Sequence, residues 1–412
     1  MRLALVITGV LSLLPPPAQA QADGPSLTID QLSQRVVQGN RDIQAAALLR
    51  EAARAATSAA QALPNPRLDL SGGLAQPRTG FGGANPVQSF GAAQLIESPA
   101  VRGSRIDIAR ASERSAAYSI ASARNDLVAQ ARLGAFEALL RREETDAAAD
   151  ALRLLEQVRE RVRVRVDSGE AARYELIKAD AEIITARQRR DAARLMAQKA
   201  LLELDRLSGG TLPAGWKLAA SLDDAGPLLT LEQLTREALE RSPELALLEA
   251  EVDRARAQLQ SARASRWPGV EVRLDHSREP DVIQNRIGVN LMVPLLDDRS
   301  GAIGQASIEL ERAQRRLDGR RADLRQQLIL AWKALEIASG SMDALSRGAV
   351  REAESALRVS EAAYRFGERG ILEVLDAQRV LRSVRADLLL ARFQVQAARV
   401  SLEQLAARYA DR

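Results

Sequence analysis

Few residues in this sequence are equipped for bond chemistry. There is no Cys, and His276 is the single histidine. A thiolate nucleophile, a disulfide scaffold and a thiolate metal site are therefore excluded. A Ser-His-Asp triad or a histidine-built zinc site has almost nothing to draw on, and a lone His276 at a strand end makes no metal site. No phosphate-cradling loop followed by Lys is present. What remains is charge. Glu373 and Asp376 lie three residues apart, on one face of a helix. There they can concentrate cations and repel anions, or simply complement the positive end of a helix dipole. Arg159, Arg161, Arg163 and Arg165 alternate with Glu160, Val162, Val164 and Val166, a period of two inside a helical context. The flanks favour helix, and the charges read as a solvated face.

The elements that must position these groups are long helices. The 412 residues carry only 3% aromatics against 27% charged residues, and Ala, Leu, Arg, Glu and Gln abound. Net charge is +4, from 58 basic and 54 acidic residues, too little to suggest nucleic acid. Residues 1–20 read as a signal peptide: Arg2, an apolar stretch from Leu3 to Leu14, and Ala18-Gln19-Ala20 before the expected cleavage. That apolar stretch, about 12 residues, is too short to span a bilayer as a helix. The mature chain is then expected either in the periplasm or inserted as a β-barrel.

The sequence repeats itself. LTIDQL at 27–32 returns as LTLEQL at 229–234, an offset that also carries Pro66 onto Pro268. Further on, Gly169-Glu170 meets Gly367-Glu368 and Glu175 meets Glu373. The chain divides into a first repeat at 21–208, a linker at 209–228 and a second repeat at 229–412. Each repeat reads helix, strand, strand, long helix, helix: mainly α with a small β part. The first helices cover 29–62 and 231–266, ended by Pro-rich stretches. The long helices cover 103–166 and 301–366, rods of roughly 100 Å. Each ends at a glycine-bearing turn that can cap it left-handed, Gly169 or Gly367.

The strands are expected at about 66–74, 88–96, 269–276 and 286–294, joined by loops at 71–87 and 276–285. Leu68, Leu70, Val270, Val272, Leu274, Ile287, Val289, Leu291 and Val293 alternate with polar residues. Such alternation suits a membrane barrel with a wet lumen and equally a soluble sheet with one buried face. Four strands cannot close a barrel, so several chains would have to share one: two copies give 8 strands, three give 12. The closing helices carry heptads, Val374, Leu381, Leu388, Val395 and Leu402 with Ala377, Val384, Ala391, Ala398 and Leu405. Helices with this period wind around one another, and the alanines permit close approach. A periplasmic coiled-coil scaffold accounts for the heptads but not for the duplicated strands.

Across nearly its whole mature length the chain resembles the TolC family of outer-membrane efflux proteins. The strongest match is AAYRFGERGILEVLDAQRVL at 362–381, which looks like the family's second hairpin tip. LPNP at 63–66, Gln94 and Glu97, then Arg102-Gly103 and Arg105, look like the CzcC-type heavy-metal branch, although its Gly-Gly-Lys-Arg run is replaced here by Ser98-Pro-Ala-Val-Arg-Gly-Ser-Arg. The resemblance implies a homotrimer, with a 12-stranded outer-membrane β-barrel continued by a periplasmic α-helical barrel. It implies outer-membrane lipid, a periplasmic adaptor and an inner-membrane pump of the resistance-nodulation-division type as partners, and no cofactor. Glu373 and Asp376 match an acidic constriction at the periplasmic entrance. Arg369 and Tyr364 match residues tying the second hairpin to a neighbouring first hairpin, with Glu175 and Tyr174 as counterparts. An Arg369–Glu175 ion pair and a Tyr364–Glu175 hydrogen bond are expected in the closed state. Gly169, Glu170, Gly367, Glu368 and Gly370 fall where adaptors dock. The implied function is passive export of metal cations, with small organic toxicants as the alternative. The scarcity of aromatics is at odds with a membrane barrel, since only Phe81, Phe90 and Trp267 lie near the strands.

Overall fold

The computed structural model describes residues 24–76, 83–224, 226–227, 229–267, 269–279, 281–293 and 296–411. The proposed signal peptide at 1–20 and Phe81 lie outside them. In chain order the elements are β1 (Ser26–Leu27), α1 (Ile29–Gly39), α2 (Arg41–Gln61), β2 (Arg67–Ala75), β3 (Asn85–Ile96), α3 (Pro99–Asp167) and α4 (Arg173–Leu207). They continue with β4 (Lys217–Leu218), α5 (Leu231–Arg241), α6 (Pro243–Ala264), β5 (Val270–Arg278), β6 (Ile283–Leu291), α7 (Ser300–Ala344), α8 (Val350–Arg365) and α9 (Ile371–Leu405). We call α3–α4 the first hairpin and α8–α9 the second. Among the described residues no helix is long and apolar enough to cross a membrane.

Helix ends explain the differences from expectation. The helix expected at 29–62 is two, because Asn40 leaves the helical region (ψ 124) and its side chain accepts from the amides of Asp42 and Ile43. The helix expected at 231–266 divides at Ser242, which precedes Pro243 and caps Leu245. Thr28 with Gln31 and Thr230 with Gln233 each form a capping box. The long helices begin at Pro99 and Ser300, outside the expected 103 and 301. A π turn, Leu345–Ala349, divides α7 from α8, and the first repeat's 69-residue α3 has none. The alternating arginine run stays helical to Asp167.

The sheet has the order β2-β3-β5-β6 and is antiparallel throughout. Of the stretch expected as a loop at 71–87, residues 71–75 belong to β2 and 85–87 to β3. On the outward face there, Gly72, Gln88 and Pro86 surround Leu74, so the alternation that marks a strand is blurred. The 276–285 loop also shrinks, with strand to Arg278 and again from Ile283. Val293 falls outside β6: the ladder ends where Leu291 pairs with Val270. The 209–228 segment is more than a linker, since Lys217–Leu218 pairs in parallel with Ser26–Leu27.

Three apolar clusters hold the helices. One, around Leu32, Val36, Leu139, Leu204 and Tyr409, joins α1, α3 and α4 to the C-terminus. A second, around Leu234, Leu245, Leu324, Leu328 and Leu402, joins α5, α6, α7 and α9. The third lies toward the hairpin tips, where Leu155, Val162, Ile183, Leu357, Ile371 and Val374 meet. Burying each of these leucines contributes about 2 kcal/mol. The heptad positions Val374, Leu381, Ala391, Val395 and Leu402 are buried on α9, and Ala179, Ile183, Ala186, Ala200 and Leu204 are buried on α4.

Candidate functional site

Both hairpin tips end in the same backbone device. Gly169 (φ +80) and Gly367 (φ +76) take the left-handed conformation that a side chain disfavours. The amide of Glu170 donates to the Arg165 carbonyl, and that of Glu368 to the Ala363 carbonyl, closing a Schellman cap on α3 and on α8. Gly370 then opens α9 in extended conformation, without a side-chain cap.

The charged groups gather just behind these caps. Arg369 pairs with Glu373 one turn later, so its partner within the chain is not Glu175. Both are exposed, so solvent and salt screen the pair. Asp376 is exposed on the next turn of α9. Tyr364 is buried, and its hydroxyl has no hydrogen-bond partner within the described chain; Glu175 Oε2 is in the same condition. Burial pushes the Tyr364 phenol up, opposed by the Arg165 guanidinium and reinforced by the Glu175 carboxylate. Tyr174 is exposed and carries Lys178 over its ring at 5.5 Å. Arg165 was read as part of a solvated face, yet it lies over the Tyr364 ring at 4.7 Å. Nothing in the alternating run distinguished it from Arg161 or Arg163. Among the described residues no three His, Asp or Glu side chains are placed to hold a metal ion.

At the other end of the helices, the residues singled out by the CzcC-type motif form a structural elbow between helix and sheet. Arg105 pairs with Glu97 through contacts of 2.5 and 2.8 Å and donates to the carbonyls of Ala60 and Ala62. Arg102 donates to the carbonyl of Gln61. Two cations therefore serve the C-terminal carbonyls of α2, where the helix dipole is negative. Gln94 donates to the carbonyl of Pro64 within the LPNP stretch.

The sheet has two chemically distinct faces. Register puts Leu68, Ala92, Leu274 and Ile287 in one row, with Val272 and Val289 in the next and Val270 and Leu291 beyond. Leu70 and Phe90 belong to the same face, where they lie in a row with His276 and Asn285. Leu68, Leu70, Leu274, Ile287, Val289 and Leu291 are all exposed. The opposite face carries Arg67, Asp69, Glu271, Arg273 and Asp275. Arg273 Nε donates to Asp275 at 2.8 Å, Arg67 reaches Glu271 at 3.3 Å, and Asn290 donates to Glu271 at 3.2 Å. Gly91 makes room in the middle, since a Cβ there would lie 2.9 Å from Asp275 Oδ1. β2 and β6 are left with one unpaired edge each. Trp267 stands exposed just before β5, at the helical end of the sheet.

Comparison with known proteins agrees with this geometry. The profile of the family described as outer membrane efflux protein matches residues 32–210 and 234–408. The cobalt-zinc-cadmium resistance protein CzcC of Cupriavidus metallidurans is 26% identical over 370 residues, covering 89% of this chain and 86% of the relative. The pyoverdine export outer membrane protein OpmQ of Pseudomonas aeruginosa is 24% identical over 396 residues, covering 89% and 82%. Among solved structures, CusC superposes with a TM-score of 0.80 at 19% identity, over 98% of this chain and 99% of that one. The open state of the MtrE outer membrane channel of Neisseria gonorrhoeae gives 0.76 at 19% identity, over 92% and 88%.

Proposed function

The chain belongs to the outer membrane efflux protein family, a family of channels rather than enzymes, and on that premise we propose that three copies form a passive exit duct. The observation that carries this reading is the open four-stranded sheet. Its outer face is apolar and exposed, its inner face is charged, and both its edges are bare. In water that outer face is a liability; against lipid it is an asset. Because the four strands alternate in direction, β6 of one copy meets β2 of the next antiparallel, and three copies give an unbroken ring of 12 strands. The soluble scaffold reading leaves the apolar face unexplained. The helices support the same assembly: Ile177, Ile184, Leu195 and Leu202 on α4, and Ile308, Leu330 and Ile337 on α7, stay exposed within one chain. Several stand seven residues apart, as a coiled seam with a neighbour needs.

Residues 1–20 deliver the chain to the periplasm as a signal peptide. The two repeats share element order, capping boxes and Schellman tips, which supports descent from one duplicated unit. The tips, with Gly169, Glu170, Gly367, Glu368 and Gly370, receive the periplasmic adaptor, and an inner-membrane pump of the resistance-nodulation-division type drives the flow. Glu373 and Asp376 from three chains ring the entrance. In the trimer Arg369 exchanges Glu373 for Glu175 of a neighbouring hairpin, and the unpartnered Tyr364 hydroxyl and Glu175 carboxylate are satisfied on closing. Arg369→Ser should raise single-channel conductance severalfold; an unchanged conductance contradicts this gate.

The cargo we favour is metal cations. The likeness to CzcC and the acidic ring support this. The elbow motif does not, because Gln94, Glu97, Arg102 and Arg105 are consumed in structure. The likeness to OpmQ favours small organic compounds as the second reading. A strain lacking this chain, challenged with divalent metal salts and with organic toxicants, separates the two. Hypersensitivity confined to metals supports the first, and hypersensitivity confined to organics overturns it.

A further inference from the structure

The apolar face of the sheet has a polar corner. Followed by register, that face carries no Asp or Glu among the described residues, and Arg278 is its one Lys or Arg. Arg278 is the last of the nine residues of β5, at the end of the sheet away from the helices. A rise of about 3.3 Å per residue puts it about 26 Å along the strand from Val270. In a barrel whose strands tilt by roughly 40° that is about 20 Å of height, near the outer margin of an apolar band about 25 Å tall. A lipid-facing arginine is costly at mid-depth and tolerated at such a margin.

The neighbours of Arg278 on this face are donors rather than acids. Gln88 is its register partner on β3. One step nearer the helices, His276 Nδ1 and Asn285 Oδ1 are 2.7 Å apart. With the imidazole donating, the amide N–H groups of Asn285 stay available. Gln88, His276, Arg278 and Asn285 are all exposed. On the inner face Arg67 and Arg273 are each held by carboxylates. Arg278 has no ion pair with a described residue, although Glu279 and Asp281 follow it in the chain. Around this corner Leu70, Leu74, Phe90 and Ile283 are exposed and apolar.

An unpaired guanidinium beside amide donors, bordered by apolar side chains, suits a ligand that joins a phosphate to acyl chains. Arginine offers a planar fork that takes two phosphate oxygens at once. We propose that Arg278, with Gln88 and Asn285, holds a phosphate of a glycolipid in the outer leaflet, one lipid per chain. This rests on the duct reading, in which the apolar face meets lipid. Free phosphate shares the charge chemistry but makes no use of Leu70, Leu74, Phe90 and Ile283.

The test titrates the purified full chain in non-ionic detergent with bisphosphorylated lipid A and with its dephosphorylated form, counting bound lipid by native mass spectrometry. The phosphorylated form should bind once per chain, and the dephosphorylated form severalfold more weakly. Arg278→Gln should weaken binding of the phosphorylated form severalfold, to the level of the dephosphorylated one. Arg286→Gln removes an equal charge from an exposed position on the opposite face of β6 and should leave binding unchanged. Equal binding of the two lipid forms overturns the site and leaves the duct. So does an Arg278→Gln that binds as well as the unaltered protein, or an Arg286→Gln that loses as much. Displacement of the lipid by millimolar inorganic phosphate overturns the lipid assignment. A chain that does not insert into phosphatidylcholine liposomes overturns the duct reading and this site together.

Discussion

Glu373 and Asp376 are chemically alike but not equally free. Glu373 is already paired with Arg369, which offsets its charge, whereas Asp376 is exposed one turn further on. In the proposed ring of three chains, once the gate opens and Arg369 leaves Glu175 to pair with Glu373 as it does in the single chain, most of the cation attraction falls to Asp376. Asp376→Asn should cut cation-over-anion preference severalfold, read as a reversal potential moving toward zero across a salt gradient. Glu373→Gln should reduce it less, because it also frees Arg369. Equal effects contradict this ranking. That these two residues share a helix face was legible from their spacing alone. The Arg369–Glu373 pairing was not, because a four-residue spacing is satisfied by many charge pairs on this chain and spacing alone does not choose among them. Arg165 was hidden for a related reason: in a run of four arginines at equal spacing, only the approach of Tyr364 selects the one that covers its ring.

The elements meet at an elbow that carries more polar work than its size suggests. Arg105 serves Glu97, Ala60 and Ala62 at once, with its side chain about one-third exposed. Arg105→Ala should cost about 2–3 kcal/mol, since it removes charge-assisted bonds and strands a largely buried carboxylate. Arg105→Lys should recover little, because an ammonium cannot span that planar fork of acceptors. Urea unfolding of the detergent-solubilised protein checks both, and a Lys variant as stable as the original contradicts the geometry. At this scale the heptads and the long rods could be read directly, since a sustained period stands out over many turns. Breaks were harder to see. Asn40 and Ser242 end helices by swapping a backbone bond for a side-chain bond, and that exchange does not disturb the apolar periodicity on either side. The π turn at Leu345–Ala349 leaves no mark in composition either. The full extent of β2 and β3 was hard to read because Gly72, Gln88 and Pro86 interrupt the apolar alternation around Leu74.

At the scale of the whole molecule, a single chain is an incomplete object. Its sheet exposes an apolar face and two bare edges, and its helices expose apolar stripes at heptad spacing. Of the aromatics near the strands, Trp267 lies at the helical end of β5, whereas Phe90 sits within the face, in a row with His276 and Asn285 and with Leu74 and Ile283 beyond it. Repetition by symmetry would turn Trp267 into a sparse girdle around the barrel. The mass of the native particle extracted from outer membranes in mild detergent decides whether the proposed trimer forms. Three mature chains per particle, in the outer-membrane fraction, is the result predicted here. A monomer recovered from the soluble periplasm, or a particle of any other copy number, would contradict it.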